Sequence, residues 1–288
     1  MNYYDGRLVL VLASYVMPIN NHQTHRPRGI YLLPNLLTTA AIFAGFYAIG
    51  AAFKGHFNTA AMAIYLAMLM DGLDGRVARL TNTQSAFGAE YDSLSDMVSF
   101  GLAPPFLAYS WALATLGKVG FLAAFIYVAA TALRLARFNT QLGTADKRFF
   151  QGLSCTASAG IMAGLIWVGN LYHLSGQVLS VVAAVIAILC ALLMVSKIRY
   201  HSFKEIDLHN RVPFITVLIV VLVFVTVYFD PPRVLCLVFV AYGLSGPILT
   251  LWNIRKKRLS RRRLAAVINI NLKKGRNQLH KNLHGNDE

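Results

Sequence analysis

The sequence is poor in charged residues, and in acidic residues above all. Only 14% of the 288 residues are charged and only 12 are Asp or Glu, whereas about a quarter of an average soluble protein is charged. In contrast, 56% of the residues are hydrophobic and the mean hydropathy is +0.52. This excess excludes a disordered chain, and it exceeds what a soluble domain of this size can bury. We therefore expect a protein that crosses a membrane several times.

Cysteine is scarce as well. The three cysteines, Cys155, Cys190 and Cys236, are scattered through apolar runs. They have neither the pairing typical of a disulfide scaffold nor the spacing of zinc ligands. We interpret them as small apolar residues in a reducing or lipid environment.

Apolar runs of about 20 residues, the length that crosses a bilayer, indicate eight predicted spans. They cover residues 31–53, 57–80, 86–115, 118–139, 152–173, 177–196, 211–229 and 233–253. The predicted fold is all-α, a polytopic membrane helix bundle with about eight transmembrane helices. We divide the chain into an N-terminal cytoplasmic or interfacial arm (1–30), a transmembrane domain (31–253) and a basic cytoplasmic tail (254–288).

The basic residues are distributed unequally between the two sides that these spans define. With eight spans, 24 of the 27 Lys and Arg residues lie on the side of both termini, and only Lys54, Lys118 and Arg233 lie on the other. Because cytoplasmic loops hold the excess of basic residues, this distribution predicts that both termini are cytoplasmic. The size of the chain and its short loops suit an integral protein of the bacterial inner (plasma) membrane.

The basic tail does not resemble a nucleic-acid-binding segment. Residues 254–288 contain 11 basic and 2 acidic residues, without the interleaved aromatic residues that stack on bases. We interpret the tail as a basic helix on an anionic membrane surface, or as a solvated segment. No nucleic acid is expected as a partner.

Five of the 12 acidic residues lie within only 26 residues. Asp71 and Asp74 are three residues apart in the second predicted span, and Asp92 and Asp96 are four apart in the third, so each pair shares a helix face. The short connection between the spans makes these helices antiparallel neighbours. Four adjacent carboxylates repel unless they are protonated or neutralised, and all-oxygen ligands suit Mg²⁺ or Mn²⁺. We predict that the four aspartates bind these ions, two of which would suit phosphoryl displacement.

Other interpretations of the same features remain open at this point. In one alternative, the acids pair with Arg76, Arg79, Arg134 or Arg137 and only hold helices together. In a second alternative, they line the path of a divalent-cation or proton-coupled transporter. The second half of the chain, however, shows neither an acid inside a predicted span nor an internal repeat. A further alternative makes the spans an anchor for a functional tail.

The residues around the acids form a recognisable pattern. The string Asp71-x₂-Asp74-Gly75-x₂-Ala78-Arg79-x₈-Gly88-x₃-Asp92-x₃-Asp96 resembles the signature of the CDP-alcohol phosphatidyltransferase family at all eight fixed positions. The resemblance implies a helical membrane enzyme, commonly a homodimer, which moves a phosphatidyl group from a CDP-linked lipid to an alcohol and releases CMP. It implies that the four aspartates bind the metal ions at the cytoplasmic face. It also implies that Asp96 is the general base for the attacking hydroxyl.

A second group of residues is assigned to the CDP moiety. Gly72, Gly75 and Ala78 remove side-chain bulk where a ligand would enter, although helix packing also explains small residues. Arg79 is placed to meet phosphate. The first span resembles the family at Asn35 and Thr38, near the nucleotide.

Three segments resemble the phosphatidylserine synthase branch of the family, namely 88–105, 133–140 and 199–207. This resemblance implies CDP-diacylglycerol and L-serine as substrates, with glycerol 3-phosphate, inositol phosphate or choline as alternative acceptors. We assign Arg134, Arg137 and Asn139 to the serine carboxylate or a lipid phosphate; cytoplasmic anchoring explains the arginines equally well.

The chain departs from this branch at two positions. Ser154 and Thr156 stand where the branch tends to have proline. Loss of both prolines is expected to loosen a cytoplasmic loop near the site.

Overall fold

The computed structural model describes residues 32–141, 149–201, 218, 222, 225–250, 252, 255 and 256. Its helices are α1 (Leu32–Phe53), α2 (Phe57–Leu80), α3 (Ala86–Asp96), α4 (Ala103–Trp111), α5 (Lys118–Gln141), α6 (Cys155–Leu171), α7 (Gly176–Val195) and α8 (Pro231–Thr250). A π-helical turn (Met97–Leu102) joins α3 to α4, and a short 3₁₀ helix (Leu113–Leu116) follows α4. Two short strands are β1 (Phe149–Gln151) and β2 (Arg199–His201).

The helices confirm the helical fold of a membrane protein. Four of them, α1, α5, α7 and α8, are long and apolar enough to cross a membrane by length and composition. The predicted span 86–115 consists of α3, the π-helical turn, α4 and the 3₁₀ helix. Within the predicted span 211–229, the described residues 218, 222 and 225–229 are helical. The predicted arm and most of the tail lie outside the described residues, and the count of eight spans stays a prediction.

An antiparallel pair of strands is an addition to the expected all-α fold. β1 pairs with β2, with Phe150 opposite Tyr200. These segments follow α5 and α7, where backbone N–H and C=O groups no longer have helical partners, and the pairing satisfies them. Three residues are too few to show the alternation by which a strand is recognised in a sequence.

Where α1 meets α2, small side chains lie inside the bundle, and large apolar side chains of α1 lie outside. In α1, Ala48 is fully buried, and Ala60 and Ala61 of the neighbouring α2 are buried as well. Phe43 and Phe46, by contrast, are exposed to nearly 70%. Close helix packing through small residues and an apolar exterior are typical of helices surrounded by lipid.

Helix α1 lies very close to the π-helical turn. A Cβ atom added at Gly45 would lie 2.6 Å from Ser99 Cα, so only glycine fits there. The Ser99 hydroxyl donates to Ala41 O at 2.9 Å, and the Ser95 hydroxyl donates to Thr38 O at 3.3 Å. These contacts fix α3 and the π-helical turn against α1.

A tight reversal brings α2 and α3 side by side. Asn82 has a φ of 51°, a left-handed conformation that asparagine tolerates better than most residues. The Thr83 amide donates to Ala78 O at 3.0 Å, and the Ser85 hydroxyl accepts from the Gly88 amide at 3.0 Å and so caps α3. The antiparallel arrangement predicted for the two acidic helices therefore results from local turn and capping interactions.

Candidate active site

The helix pair places three aspartates around one point. One carboxylate oxygen each from Asp71, Asp74 and Asp92 lies within 4.8 Å of the other two. Asp74 is buried and the other two are half-buried. Removing negative charges from water while placing them together is costly unless a cation compensates them. An all-carboxylate oxygen set fits Mg²⁺ or Mn²⁺, so the chemistry of these ligands suits the expected metal.

Arginine pairing does not account for Asp71, Asp74 or Asp96. Among the described residues, no arginine lies within the 4.0 Å ion-pair distance of Asp71, Asp74 or Asp96. The ion pair that the described residues do show joins Arg233 to Asp230 at 2.7 Å, near the start of α8. The geometry therefore favours the metal interpretation over the alternative in which these acids only hold helices together.

Asp96 lies beside the three-carboxylate cluster, outside the group within 4.8 Å. It is the last residue of α3 and directly precedes the π-helical turn, an irregularity that often occurs at functional sites. Its carboxyl group is within hydrogen-bonding reach of Asp71. Its Oδ2 atom accepts a hydrogen bond from Cys155 Sγ at 3.3 Å, while Oδ1 is buried with no hydrogen-bond partner. Asp96 is therefore close to the cluster yet in a distinct environment.

Thr38 acts directly on one of the predicted ligands. Its hydroxyl lies 2.7 Å from Asp74 Oδ2 and 3.0 Å from Pro34 O, and the residue is only 4% exposed. The hydroxyl thus donates to Asp74 from the buried side of α1. Its predicted contact with CDP stays a prediction, and the structure adds a supporting role that the sequence did not indicate.

The glycines assigned to the CDP moiety have open space beside them. A Cβ atom added at Gly72 or Gly75 would meet no atom of the described residues within 4 Å. Helix packing within the described part of the chain therefore does not explain them, whereas room for a ligand does. Ala78 is half-buried and Arg79 is exposed on the same helix.

Asn35 lies near the start of α3. A Cβ atom added at Gly88 would lie 3.8 Å from Asn35 Oδ1, which places Asn35 beside the capped end of that helix. The next turn of α1 also contacts α3, because Thr39 and Tyr91 share a hydrogen bond of 2.9 Å. Asn35 is therefore brought to the end of α3 that bears Gly88.

The three residues assigned to the acceptor do not share one environment. Arg134 reaches the Asp96 region, where its Nη1 atom donates to Cys155 Sγ at 3.0 Å and its Nε atom is buried without a partner. Arg137 donates to the side chain of Gln151 in β1. Asn139 accepts from Ser93 at 3.1 Å and donates to Glu90 at 3.3 Å. Of the three, Arg134 is the one that these hydrogen bonds link to Asp96.

Backbone contacts anchor the segment that lacks the two prolines. Ser154 caps α6, since its hydroxyl accepts from the Ala157 amide at 3.0 Å. The Gly152 amide donates to Ile198 O at 2.8 Å and the Leu153 amide donates to Leu193 O at 3.0 Å. These bonds hold the segment to the end of α7, and the loosening expected from the missing prolines stays a prediction.

Sequence reasoning missed Cys155. Cysteines were interpreted as small apolar residues, and Cys155 is indeed buried. Its position between two charged side chains depends on where α6 starts relative to α3 and α5. The one feature of the sequence that draws attention to Cys155 is its position between Ser154 and Thr156, the two residues that replace the expected prolines.

Comparison with known proteins gives the same assignment as the site. The profile of the CDP-alcohol phosphatidyltransferase family matches residues 31–193. A protein of Helicobacter pylori named CDP-diacylglycerol–serine O-phosphatidyltransferase is 37% identical over 234 residues, which cover 81% of this chain and 93% of that protein.

Two proteins with the same name come from other organisms. The one from Methanocaldococcus jannaschii is 37% identical over 182 residues, which cover 63% of this chain and 80% of its own length. The one from Bacillus subtilis is 34% identical over 173 residues, which cover 60% of this chain and 92% of its own. The predicted resemblance is confirmed, and the chain is a membrane enzyme that belongs to the CDP-alcohol phosphatidyltransferase family.

Proposed function

We propose that this protein transfers the phosphatidyl group of CDP-diacylglycerol to the hydroxyl of L-serine, with CMP as the second product. The observation that supports this most directly is the cluster of Asp71, Asp74 and Asp92 with Asp96 beside it. Relatives from three organisms, each named for serine as acceptor, support the choice of alcohol.

Asp71, Asp74 and Asp92 would hold Mg²⁺ or Mn²⁺, with Asp96 completing the ligands of a second ion. When bound, the metal offsets negative charge on the diphosphate and on the departing CMP. The open space beside Gly72 and Gly75 leaves room for the CDP group against α2, and Arg79 extends from the same helix toward a phosphate. Asn35 and Thr38 lie on the α1 side of this space.

Asp96 would act as the general base. A serine hydroxyl is a weak nucleophile at neutral pH, so a carboxylate that accepts its proton during attack accelerates the transfer. The buried Oδ1 atom of Asp96 has no partner among the described residues and is free to accept that proton. Arg134, with its buried and unpartnered Nε, would bind the serine carboxylate, and Arg137 and Asn139 would contribute at the edge of the site.

We further propose eight spans with both termini and the active site on the cytoplasmic side of a bacterial inner membrane. The described contacts agree with the alternation of helix ends that this arrangement requires. The end of α5 contacts the start of α3 through Asn139 and Glu90, and β1 joins β2 after α7. At the other end of the bundle, Asn170 of α6 donates to Asn58 of α2 at 2.8 Å. The division into arm, transmembrane domain and tail, and a homodimeric state, belong to the same proposal.

The direct test is release of CMP from CDP-diacylglycerol by the purified protein with Mn²⁺ or Mg²⁺. Serine, glycerol 3-phosphate, inositol phosphate, choline and buffer alone are compared in parallel. Release that requires both metal and serine, with a serine-headed lipid product, supports the proposal. Release with another acceptor keeps the aspartate mechanism and overturns the choice of serine. No release from folded protein favours the transporter alternative, which ion flux in vesicles would then test.

The metal assignment is tested by Asp71→Asn, which keeps the shape of the side chain and removes its charge. We expect loss of turnover in a protein that still folds. Asp230→Asn is the matched control because Asp230 lies far along the chain in a turn, paired with Arg233. Full activity of the Asp71 variant would contradict the assignment.

Deletion of 254–288 distinguishes the enzyme from the alternative in which the spans only anchor a functional tail. An enzyme keeps most of its activity without the tail, whereas a protein that acts through the tail loses its function.

A further inference from the structure

The side chain of Cys155 lies between two oppositely charged groups. Its Sγ atom accepts a hydrogen bond from Arg134 Nη1 at 3.0 Å and donates one to Asp96 Oδ2 at 3.3 Å. The two charged groups do not come within the 4.0 Å ion-pair distance of each other. A guanidinium only donates and a carboxylate only accepts, whereas a thiol does both. The thiol can therefore accept a hydrogen bond from Arg134 and donate one to Asp96 at the same time.

The fold holds Cys155 in place. It is the first residue of α6, directly after the capping residue Ser154, and it is 2% exposed. The chain before it takes a φ of +80° at Gly152, where an added Cβ would lie 2.2 Å from Met194 O. The position of the thiol is thus set by backbone contacts of α6 and α7 that do not involve the aspartates.

We propose that Cys155 is a positioning residue for Asp96. By binding Oδ2, the thiol fixes the rotation of the carboxylate and turns the unpartnered Oδ1 toward the acceptor hydroxyl. The torsion that rotates a carboxylate is broad and weakly restrained by itself, so an anchor on one oxygen determines where the other points. Arg134 holds the sulfur from its other side. The proposal rests on the proposed role of Asp96 as general base.

Simple filling of space does not account for these contacts. Cys190 is an example of a cysteine that only fills space. It lies on α7, is 3% exposed, and its side chain forms no hydrogen bond with any described residue. Cys155 differs from it in having a charged partner on each side. Cys190 therefore supplies a matched control, with the same side chain and burial but no contact with the site.

The test compares Cys155→Ala, Cys155→Ser and Cys190→Ala with the wild type. For each protein, kcat and KM are measured with CDP-diacylglycerol and serine, and Mn²⁺ binding is measured by electron paramagnetic resonance without substrate. For Cys155→Ala we expect kcat to fall about tenfold, the effect of losing one hydrogen bond to a charged group. The KM for CDP-diacylglycerol and the affinity for the first Mn²⁺ ion should stay unchanged, because Asp71, Asp74 and Asp92, which would hold that ion, are untouched. Cys155→Ser should recover most of kcat, since a hydroxyl also donates and accepts.

Several outcomes would overturn the proposal. It fails if Cys155→Ala keeps the kcat of Cys190→Ala, if Cys155→Ser does not recover kcat, or if the affinity for the first Mn²⁺ ion falls in parallel with kcat. If Cys155→Ala does not fold, Cys155→Thr and Cys155→Val are compared instead. These two side chains have the same shape, but only threonine has a hydroxyl. Equal kcat values for the two variants would refute the positioning role of Cys155. If the wild type uses another acceptor, the same variants are compared with that acceptor. Absence of activity in the wild type refutes the proposed function itself and, with it, the role of Asp96 on which this inference rests.

Discussion

Replacing Thr38 by valine tests how the fold supports the metal ligands. Valine has nearly the same shape as threonine, and the site is only 4% exposed, so packing changes little. What is lost is the hydroxyl that donates to Asp74 Oδ2 at 2.7 Å. Asp74 is then a buried carboxylate with one donor fewer.

The size of the effect follows from the remaining contacts of Asp74. A hydrogen bond to a charged group contributes roughly 1.5–3 kcal/mol, and about 1.4 kcal/mol corresponds to a tenfold change in an equilibrium constant. The other two carboxylates of the cluster, Asp71 and Asp92, stay in place after the substitution. We therefore expect the lower end of the range, an affinity for Mn²⁺ weakened about tenfold.

The assay is the Mn²⁺ concentration that gives half-maximal CMP release at saturating substrates. Thr38→Ser should behave like the wild type because it keeps the donor. Thr131→Val is the control: Thr131 is also fully buried, but its hydroxyl donates to Tyr127 O in its own helix at 3.0 Å. If Thr38→Val requires no more Mn²⁺ than Thr131→Val, Thr38 does not support the ligand and the reasoning is refuted.

Two glycine substitutions should have opposite effects. Gly45→Ala places a Cβ atom 2.6 Å from Ser99 Cα, so α1 must move away from the π-helical turn. We therefore expect this variant to have a lower melting temperature in detergent than the wild type. Gly50→Ala is the control: its Cβ atom meets open space, so its melting temperature should be no lower than that of the wild type. Gly75→Ala also meets open space and should stabilise α2 by about 0.5–1 kcal/mol. It should nevertheless raise the KM for CDP-diacylglycerol, and an unchanged KM would contradict a ligand-binding role for this face.

The sequence predicted the features of the site that depend on local spacing. Asp71 and Asp74 share a helix face because they are three residues apart, and a five-residue reversal brings the next helix alongside. The long apolar runs likewise predicted the helices. Both follow from helical periodicity and hydropathy, which short windows of sequence contain.

The features that escaped prediction depend on contacts between distant segments. Thr38 supports Asp74 across 36 positions, and Cys155 contacts Asp96 across 59. Neither has a local pattern, since a threonine on α1 and a cysteine at the start of α6 look like ordinary packing residues. The π-helical turn after Asp96 was also missed, because nothing in Met97–Leu102 distinguishes it from regular helix in hydropathy.

The alanine-lined contact between α1 and α2 has a consequence for how this protein tolerates mutation. In a water-soluble enzyme, the damaging core changes are mostly truncations that leave cavities. Here many buried positions of these two helices, such as Ala48, Ala60 and Ala61, are nearly as small as side chains can be, so little remains to be removed from them. Added bulk, by contrast, has no space and separates the helices, while Phe43 and Phe46 on the outside can change among apolar residues freely. During evolution, the substitutions accepted at these alanine positions should therefore be limited by the largest side chain that fits between α1 and α2.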